Sequence, residues 1–307
     1  MNYRYFVCCL VLLCGAWGTT FAQDDDQDSI RQEHHRLDSL FISEVEQVKG
    51  PEKVFHAEPL YIDLIRDLGA RKGEREWNVG LGMTDKQGYD TYQMLVEYEF
   101  APVNRLGLEV ELPFTLTSKG TSTVDVPMDE RSRLNSLKTA LQWSYYVSEA
   151  RALSMALGYI NEVTLSPFDR YRNQPIINGN IFNPFWIGAK RWGQNWHTLI
   201  YAGPHIHLDY PTRKWHTEWN VNSNFHYLIP GTRNFIGMEV NKHFYKKESD
   251  VVFRPQMRVG IAHNLLVGVV TGIPVSRYKE RLSFFLRLIY EPMGKRHHKT
   301  VGHHSRN

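Results

Sequence analysis

Histidines and carboxylates alternate along two neighbouring stretches in the second half of the sequence. The residues that share one parity there are His205, His207, Asp209, His216, Glu218 and His226. Imidazole and carboxylate groups are side chains that bind Zn²⁺ and other divalent ions in proteins. The sequence therefore predicts a candidate metal site made of His205, His207, His216 and Glu218. The alternative is that the alternating histidines only fill a wet interior and that the protein has no cofactor.

This candidate metal site requires two antiparallel strands joined by a tight turn, which we place near residues 212–213. Such a turn brings Asp209 opposite His216. It also brings His207 opposite Glu218, so that imidazoles and carboxylates meet across the strand pair. A second histidine group, HHKTVGHH near the end of the sequence, is interpreted as a solvated basic tail that could bind metal only loosely.

Charged side chains make a second set of candidate functional residues. In the stretch MLVEYEFAPVNRLGLEVELPF, residues 94–114, acidic residues alternate with apolar ones. Extended along the chain, the same parity selects Glu97, Glu99, Glu109, Glu111, Arg254, Arg258 and Arg287. Rings of charged side chains select among permeating ions, so the set predicts a charged constriction in a pore. The alternative is that these charges pair with one another and serve only to pack the interior.

Alternating segments recur through most of the chain and define the elements that must position these side chains. They cover residues 76–84, 92–100, 106–117, 136–147, 153–164, 181–192, 196–209, 215–228, 235–245, 251–262, 265–275 and 281–291. An even number of strands, with aromatic residues near the strand ends, is typical of barrels that span outer membranes. We therefore predict an all-β fold, an antiparallel up-and-down transmembrane β-barrel of about 12 strands, over residues 76–292.

The N-terminus has the pattern of a secretory signal peptide, residues 1–22, with an apolar run over 6–16 and cleavage after Ala22. The three cysteines lie inside it, at Cys8, Cys9 and Cys14. A mature chain without cysteine cannot be a disulfide scaffold, a thiolate zinc protein or a cysteine enzyme. No later apolar run reaches the roughly 20 residues of a membrane helix, so a membrane protein of this sequence must be a closed barrel.

The connections between the segments differ in length. Short turns occupy residues 101–105, 148–152, 193–195, 229–234 and 263–264, whereas long polar loops occupy 118–135 and 165–180. Short turns on the periplasmic side and longer loops outside are the layout of outer-membrane barrels. The pattern predicts a protein of the cell outer membrane with both termini in the periplasm.

Residues 23–75 do not alternate and are predicted to form a periplasmic extension with one or two short helices. Apolar residues at helical spacing indicate the first helix, and they are Leu37, Leu40, Phe41, Val45 and Val48. A second helix would begin at Pro59 and end at Gly69. The extension could pack under the barrel or act as a plug that regulates the pore. Residues 293–307 are predicted to be a flexible, histidine-rich basic tail.

Two stretches carry a resemblance to a known group of proteins. HAEPLYIDLIRDLGARKGEREWNVG, residues 56–80, and EYEFAPVNRLGLEVELPF, residues 97–114, resemble an uncharacterised family of outer-membrane β-barrel proteins, porin-like or transporter-like, from Bacteroidetes-type bacteria. The resemblance is close over residues 56–114 and extends to the rest only in pattern. It implies a barrel in the outer membrane and supplies no catalytic residues.

These observations favour a narrow channel or transporter for small polar or ionic solutes, with metal ions among the candidates. The expected partners are membrane lipid, the solute and the outer-membrane assembly machinery. The balance of 36 basic and 33 acidic residues gives no reason to expect nucleic acid. One alternative is a structural or assembly protein without transport. Another is a lipid-modifying enzyme, which is disfavoured because the sequence lacks GxSxG, HExxH and glycine-rich phosphate motifs.

Overall fold

The computed structural model describes residues 24–46, 50–62, 68–121, 123–246, 248–277 and 280–292. The predicted signal peptide and the predicted histidine-rich tail lie outside these residues. One helix, α1 (Asp24–Glu46), precedes all the strands. Among the described residues, no helix combines the length and the apolar character needed to cross a membrane.

The predicted β-barrel is confirmed. Its strands are β1 (Arg75–Asp85), β2 (Asp90–Val103), β3 (Leu106–Ser118), β5 (Ser136–Ser148), β6 (Leu153–Leu165), β7 (Ile177–Trp192), β8 (Trp196–Asp209), β9 (Lys214–Leu228), β10 (Phe235–Tyr245), β11 (Glu248–Ala262), β12 (Leu265–Pro274) and β13 (Leu282–Tyr290). A two-residue strand, β4 (Arg133–Leu134), pairs with β3 inside the connection to β5. The twelve long strands coincide closely with the twelve alternating segments.

The barrel is closed by its first and last strands. β1 pairs antiparallel with β13 from Trp77 opposite Tyr290 to Asp85 opposite Leu282. Each remaining long strand pairs antiparallel with the next long strand along the chain. Closure leaves no unpaired strand edge, which is the condition that lipid imposes on a spanning sheet.

The alternation of residues gives the wall two different faces. Val96 is 42% exposed on the outer face, whereas the adjacent Glu97 is fully buried inside the barrel. Aromatic residues crowd the outer face near one end of the strands, where Trp77 contacts Tyr98 and Trp196 contacts Tyr227. An apolar outer band edged by aromatic rings is suited to lipid and its interface.

The two ends of the barrel differ in their connections. The short-turn end carries the connections at 104–105, 149–152, 193–195, 229–234 and 263–264. The long-loop end carries the connections at 119–135 and 166–176, together with tight turns such as 86–89 and 210–213. Both α1 and the end of β13 lie at the short-turn end, so the described chain enters and leaves the barrel on the same side.

Helix α1 lies across the short-turn end. Asp38 accepts hydrogen bonds from Gly231 N (2.5 Å) and from Asn195 Nδ2 (3.0 Å), both of which belong to short turns. At the end of the helix, Glu46 pairs with Arg191 at 2.6 Å. The helix therefore packs beneath the barrel, which is one of the two arrangements that the sequence left open.

Residues 53–62 do not pack beneath the barrel but lie inside it, and we call them the plug segment. Ala57 N donates to His197 Nδ1 (3.0 Å) and Leu60 N donates to Gln256 Oε1 (2.8 Å), and both acceptors point inward from the wall. Leu60 also packs over Gly268, where a Cβ atom would come within 2.6 Å of the leucine side chain. For this part of the extension the interpretation of packing under the barrel is wrong, because wall side chains inside the barrel satisfy its backbone groups.

Lys53 at the start of the plug segment and Gly69 after it are held near the short-turn end. Gly69, at φ 100°, donates to Ser144 Oγ, and Lys53 pairs with Glu74 at 2.8 Å. The predicted second helix is absent over Pro59–Ile62, where the described chain is irregular, and its remainder at 63–67 lies outside the described residues. Inside the barrel, wall side chains offer the backbone partners that a helix would otherwise provide.

Candidate functional site

A cavity of about 400 Å³ occupies the barrel interior toward the long-loop end, and we call it the mouth cavity. Its floor includes Tyr61 and Ile62, the last two residues of the plug segment. Lys86 from a tight turn and Glu280 from the β12–β13 connection belong to its upper lining. The cavity is thus reached from the long-loop end and stops at the plug segment.

Amide, imidazole and phenol groups line one wall of the mouth cavity. Asn183 and Asn220, from β7 and β9, each place Nδ2 2.9 Å from His205 Nε2. Asn183 Nδ2 also lies 2.9 Å from the hydroxyl of Tyr201. Such groups both donate and accept hydrogen bonds, and they therefore suit a small polar solute.

Arg254 attaches the floor of the mouth cavity to the wall. Its guanidinium lies 3.4 Å from the ring centre of Tyr61, a cation–π contact. The same guanidinium donates to Asn241 Oδ1 (2.6 Å) and Ser283 Oγ (3.1 Å). The tip of the plug segment is therefore stacked on a side chain that three strands hold in place.

A charged pair joins two connections at the rim of the mouth cavity. Lys86 Nζ lies 2.9 Å from Glu130, which belongs to the long 119–135 loop. Burial disfavours the charged form of Lys86, but the nearby carboxylate of Glu130 outweighs that effect and raises the pKa of Lys86. The lysine remains charged at neutral pH and ties the long loop to the 86–89 turn.

Four side chains from three adjacent strands converge beside the mouth cavity, and we call them the histidine cluster: His207, His216, Glu218 and His243. His243 Nε2 lies 2.6 Å from a Glu218 carboxylate oxygen. The Nε2 atoms of His207 and His216 lie 3.7 and 3.8 Å from the same carboxylate. The rings of His207 and His216 are stacked, with centres 4.2 Å apart. His243 also belongs to the cavity lining, so cluster and cavity adjoin.

Below the mouth cavity the barrel interior is filled by the plug segment and by wall side chains, and we call this region the filled layer. Leu60, Val270 and Leu266 are at most 1% exposed, and the wall polar residues Glu239 and His226 are fully buried. Phe55 and Ala57 of the plug segment belong to the same apolar cluster as Leu60. The layer thus combines an apolar core with buried polar groups.

The filled layer also contains an ion-pair network. Arg287 pairs with Glu97 at 2.8 Å, and Lys138 pairs with Glu111 at 2.8 Å. Asn78 Nδ2 donates to Glu97 (2.6 Å) and to Glu99 (3.2 Å), linking neighbouring carboxylates. These contacts cross the β13–β1–β2–β3–β5 part of the wall, which barrel closure makes continuous.

Residues 52–291, which include the plug segment and the whole barrel, match the family described as HAEPLYID-like. The chain belongs to the HAEPLYID-like family. The eight letters of that name occur here at residues 56–63, and the first seven of these residues belong to the plug segment. No curated protein sequence is similar enough to count as a match.

Solved structures of outer-membrane channels are similar in fold to this HAEPLYID-like protein. One is an outer-membrane channel from Pseudomonas putida F1, with a TM-score of 0.59 and 12% identity, covering 75% of this chain and 99% of that one. The KdgM porin has a TM-score of 0.47 and 14% identity over 70% of this chain and 98% of its own. At these identities the first similarity establishes the fold, and the second adds no argument.

The structure places all seven residues of the predicted constriction inside the barrel. Arg254 lines the mouth cavity. The other six, Glu97, Glu99, Glu109, Glu111, Arg258 and Arg287, are between 0 and 7% exposed. Arg258 stacks over Phe235 and donates to the backbone oxygen of Arg233. In this conformation the six lie within packed structure, and an ion-selecting role for them stays a prediction.

Three of the four predicted metal ligands of this HAEPLYID-like protein come together, but not in the predicted register. His207 lies opposite His216, and His205 lies opposite Glu218, two residues away from the predicted pairing. The hairpin turn covers 210–213, with Arg213 at φ 52° and the Asp209 carboxylate accepting from Thr212 N at 2.7 Å. The turn is therefore earlier than expected, and the predicted pairs Asp209–His216 and His207–Glu218 are wrong.

His205 is the predicted ligand that the structure does not bring to the cluster, because Asn183 and Asn220 hold its Nε2. His243 takes a place there that the sequence analysis missed. It shares the inward parity of Glu239 and Asn241 on β10, so the alternation could have selected it. The alternation does not determine the register of β10 against β9.

Proposed function

We propose that this HAEPLYID-like protein is an outer-membrane channel for small polar or ionic solutes and that the plug segment closes its bore. The observation that carries the proposal is the mouth cavity, which is lined by hydrogen-bonding groups and ends at Tyr61 and Ile62. A solute that enters from the long-loop end would meet amides and imidazoles and then the plug segment. Passage would require the plug segment to move.

The contacts of the plug segment suit a movable closure. Its backbone is held by hydrogen bonds to single side chains, such as Ala57 N to His197 and Leu60 N to Gln256, and not by pairing with a strand. Its connection to α1 and to β1 lies at the short-turn end, where Lys53 and Arg71 anchor it. Displacement of the tip would therefore leave the barrel strands paired.

The proposal includes an orientation, with the short-turn end and both termini in the periplasm. The fold of outer-membrane channels and the unequal loops support it. We expect a protease added to intact cells to cleave the 119–135 loop and to spare the 149–152 turn. Cleavage of the turn alone would reverse the orientation.

A reversible cross-link gives a sharp test of closure by the plug segment. Leu60 packs on Gly268, and the mature chain is predicted to lack cysteine, so Leu60→Cys with Gly268→Cys would create the only thiol pair. Replacing the leucine also removes the two methyl carbons that a Cβ at position 268 would meet most closely. We expect no conductance in planar bilayers when the pair is oxidised and openings after reduction, with the single Leu60→Cys variant insensitive to reductant.

A second, opposite variant weakens the closure. Tyr61→Ala removes the ring that stacks on Arg254 and should increase the time the channel spends open. Equal conductance of the double-cysteine variant before and after reduction would show that the plug segment does not gate passage. If no variant conducts, a structural role without transport is favoured instead. The dense packing of the filled layer also suits that role.

The third alternative, a lipid-modifying enzyme, gains no support from the geometry. His197, His205, His207, His216, His226 and His243 all occupy inward positions on the described strands. A hydrolytic site for lipid needs its groups where acyl chains reach them, on the outer face. The proposal therefore assigns no reaction to the protein.

A further inference from the structure

We propose that His207, His216 and Glu218 bind a divalent transition-metal ion, such as Zn²⁺, at the outer mouth of the barrel. One ligand atom from each of the three residues lies within 4.8 Å of the others. Two imidazoles and one carboxylate form a common ligand set for catalytic zinc and for other transition metals. This inference does not rest on the proposed channel function, because the ion would bind whether or not solutes pass.

Hydrogen bonding alone does not explain the geometry of the cluster. The separations of 3.7 and 3.8 Å from the two histidines to Glu218 exceed the length of a hydrogen bond. Two ligand atoms that share a tetrahedral zinc ion, each at about 2.0–2.1 Å from it, lie roughly 3.3–3.5 Å apart. A small inward movement of the side chains would therefore bring the three ligand atoms to the spacing of a metal site.

A second observation points to a ligand in the cluster. His207 Nε2 is buried, and no described residue supplies it with a hydrogen-bond partner. An inaccessible polar atom without a partner is costly, and a metal ion would satisfy it. This atom faces Glu218, where the His216 nitrogen also converges. Both imidazoles thus approach the same carboxylate, His207 at one oxygen and His216 at the other.

The strands fix the proposed ligands in place. His207 and His216 are direct partners across the β8–β9 pair, next to the tight turn at 210–213. Glu218 follows His216 on the same face of β9, and the carboxylate is oriented by His243 from β10 at 2.6 Å. A hydrogen-bonded partner of this kind orients a ligand and raises its affinity for metal. Three protein ligands leave coordination positions for water or for a solute in the mouth.

A calorimetric titration of the full-length protein with zinc tests the assignment. The background should carry His297→Asn, His298→Asn, His303→Asn and His304→Asn, which removes the histidines of the C-terminal tail. We expect binding of about one zinc ion per chain. His216→Ala and Glu218→Gln should each weaken binding by at least about 10-fold, and His243→Ala by about 10- to 100-fold.

His205→Ala is the matched control, because His205 lies inward on β8 two residues from His207 but outside the cluster. Its zinc affinity should equal that of the background protein. Binding that is lost with the tail substitutions, or that is insensitive to both His216→Ala and Glu218→Gln, would overturn the proposal. So would an equal loss in His205→Ala.

Absorption spectroscopy of the protein with its histidine cluster intact tests the site without relying on the folding of variants. Co²⁺ in place of Zn²⁺ should give visible absorption bands whose intensity indicates four or five nitrogen and oxygen ligands. Zinc added afterwards should abolish these bands at one equivalent per chain. A spectrum of hexa-aqua cobalt throughout the titration would refute the site.

Discussion

The filled layer and the mouth cavity are two halves of one barrel interior with the same alternating sequence pattern. In the filled layer, inward charges such as Glu97 and Arg287 are buried and paired. At the mouth, Glu218 and His216 remain 22% and 42% exposed in their side chains. The described residues of the plug segment fill the interior up to about the level of Arg254, where Tyr61 stacks on the guanidinium.

The comparison shows that an inward polar residue has no fixed role in a barrel of this width. Where the plug segment excludes water, a charge must be neutralised by a partner, and the network around Asn78 and Glu97 does this. Beside the mouth cavity, side chains such as His216 and Glu218 remain partly exposed and available to a ligand. Residues that bind a ligand are therefore to be sought beside the mouth cavity.

The largest expected difference between the two halves is in the stability lost when one charge is removed. Arg287→Gln leaves Glu97 buried beside Glu99 without its cation and should lower the free energy of unfolding by about 3–5 kcal/mol. Glu218→Gln, its counterpart at the mouth, should cost less than about 1 kcal/mol. Urea unfolding in detergent micelles measures both. Similar losses for the two variants would show that the halves are equally dry.

Adding a charge to β9 should give a smaller difference in stability between the two halves. Asn224 and Asn220 both point inward on β9, the first 6% exposed in the filled layer and the second lining the mouth cavity. Asn224→Arg should overpack its site and destabilise the barrel by about 1–3 kcal/mol.

Asn220→Arg is the matched variant and should cost less, about 0.5–1.5 kcal/mol for the lost hydrogen bond to His205, because the mouth cavity has room for the longer side chain. It should also reduce conductance in any plug-weakened background, since the side chain would narrow the mouth. If Asn220→Arg is the more destabilising of the two, the mouth cavity is not open as described.

The smallest expected effect concerns the pair Lys86–Glu130 at the rim. Glu130→Gln should cost about 0.2–1 kcal/mol, because the pair is partly hydrated. The pKa of Lys86 is raised in the folded protein, so the stabilisation is complete below the usual lysine value of 10.5 and is lost as pH rises through the raised pKa. Unfolding curves of wild type and variant should therefore converge in strong alkali, and a constant difference would argue against this ion pair.

Much of the fold could be predicted because alternation is a local property with a physical cause. A wall between lipid and a polar interior needs opposite characters on successive residues, and the strand bounds follow from where that pattern stops. The inward orientation of Glu97 and of His207 follows from the same rule. Closure by β1 and β13 also follows, because an unpaired edge cannot exist in lipid.

Register was less accessible, and the histidine hairpin shows the reason. The polar stretch at 210–214 can turn at more than one place, and a shift of the turn by one residue shifts the pairing by two. The left-handed conformation of Arg213 and the Asp209–Thr212 contact select the turn in the folded chain. That choice replaced the predicted His207–Glu218 pair by His207–His216.

By itself, the sequence determined the membrane-compatible barrel, its twelve strands and the face on which each candidate residue lies. The tertiary structure alone decided that residues 53–62 enter the barrel, because an irregular segment has no periodicity and takes its hydrogen bonds from His197 and Gln256, far away in sequence. It also decided which inward residues are sealed and which are open, and it brought His243 to Glu218. These outcomes depend on the relative heights of three strands, which only the closed barrel fixes.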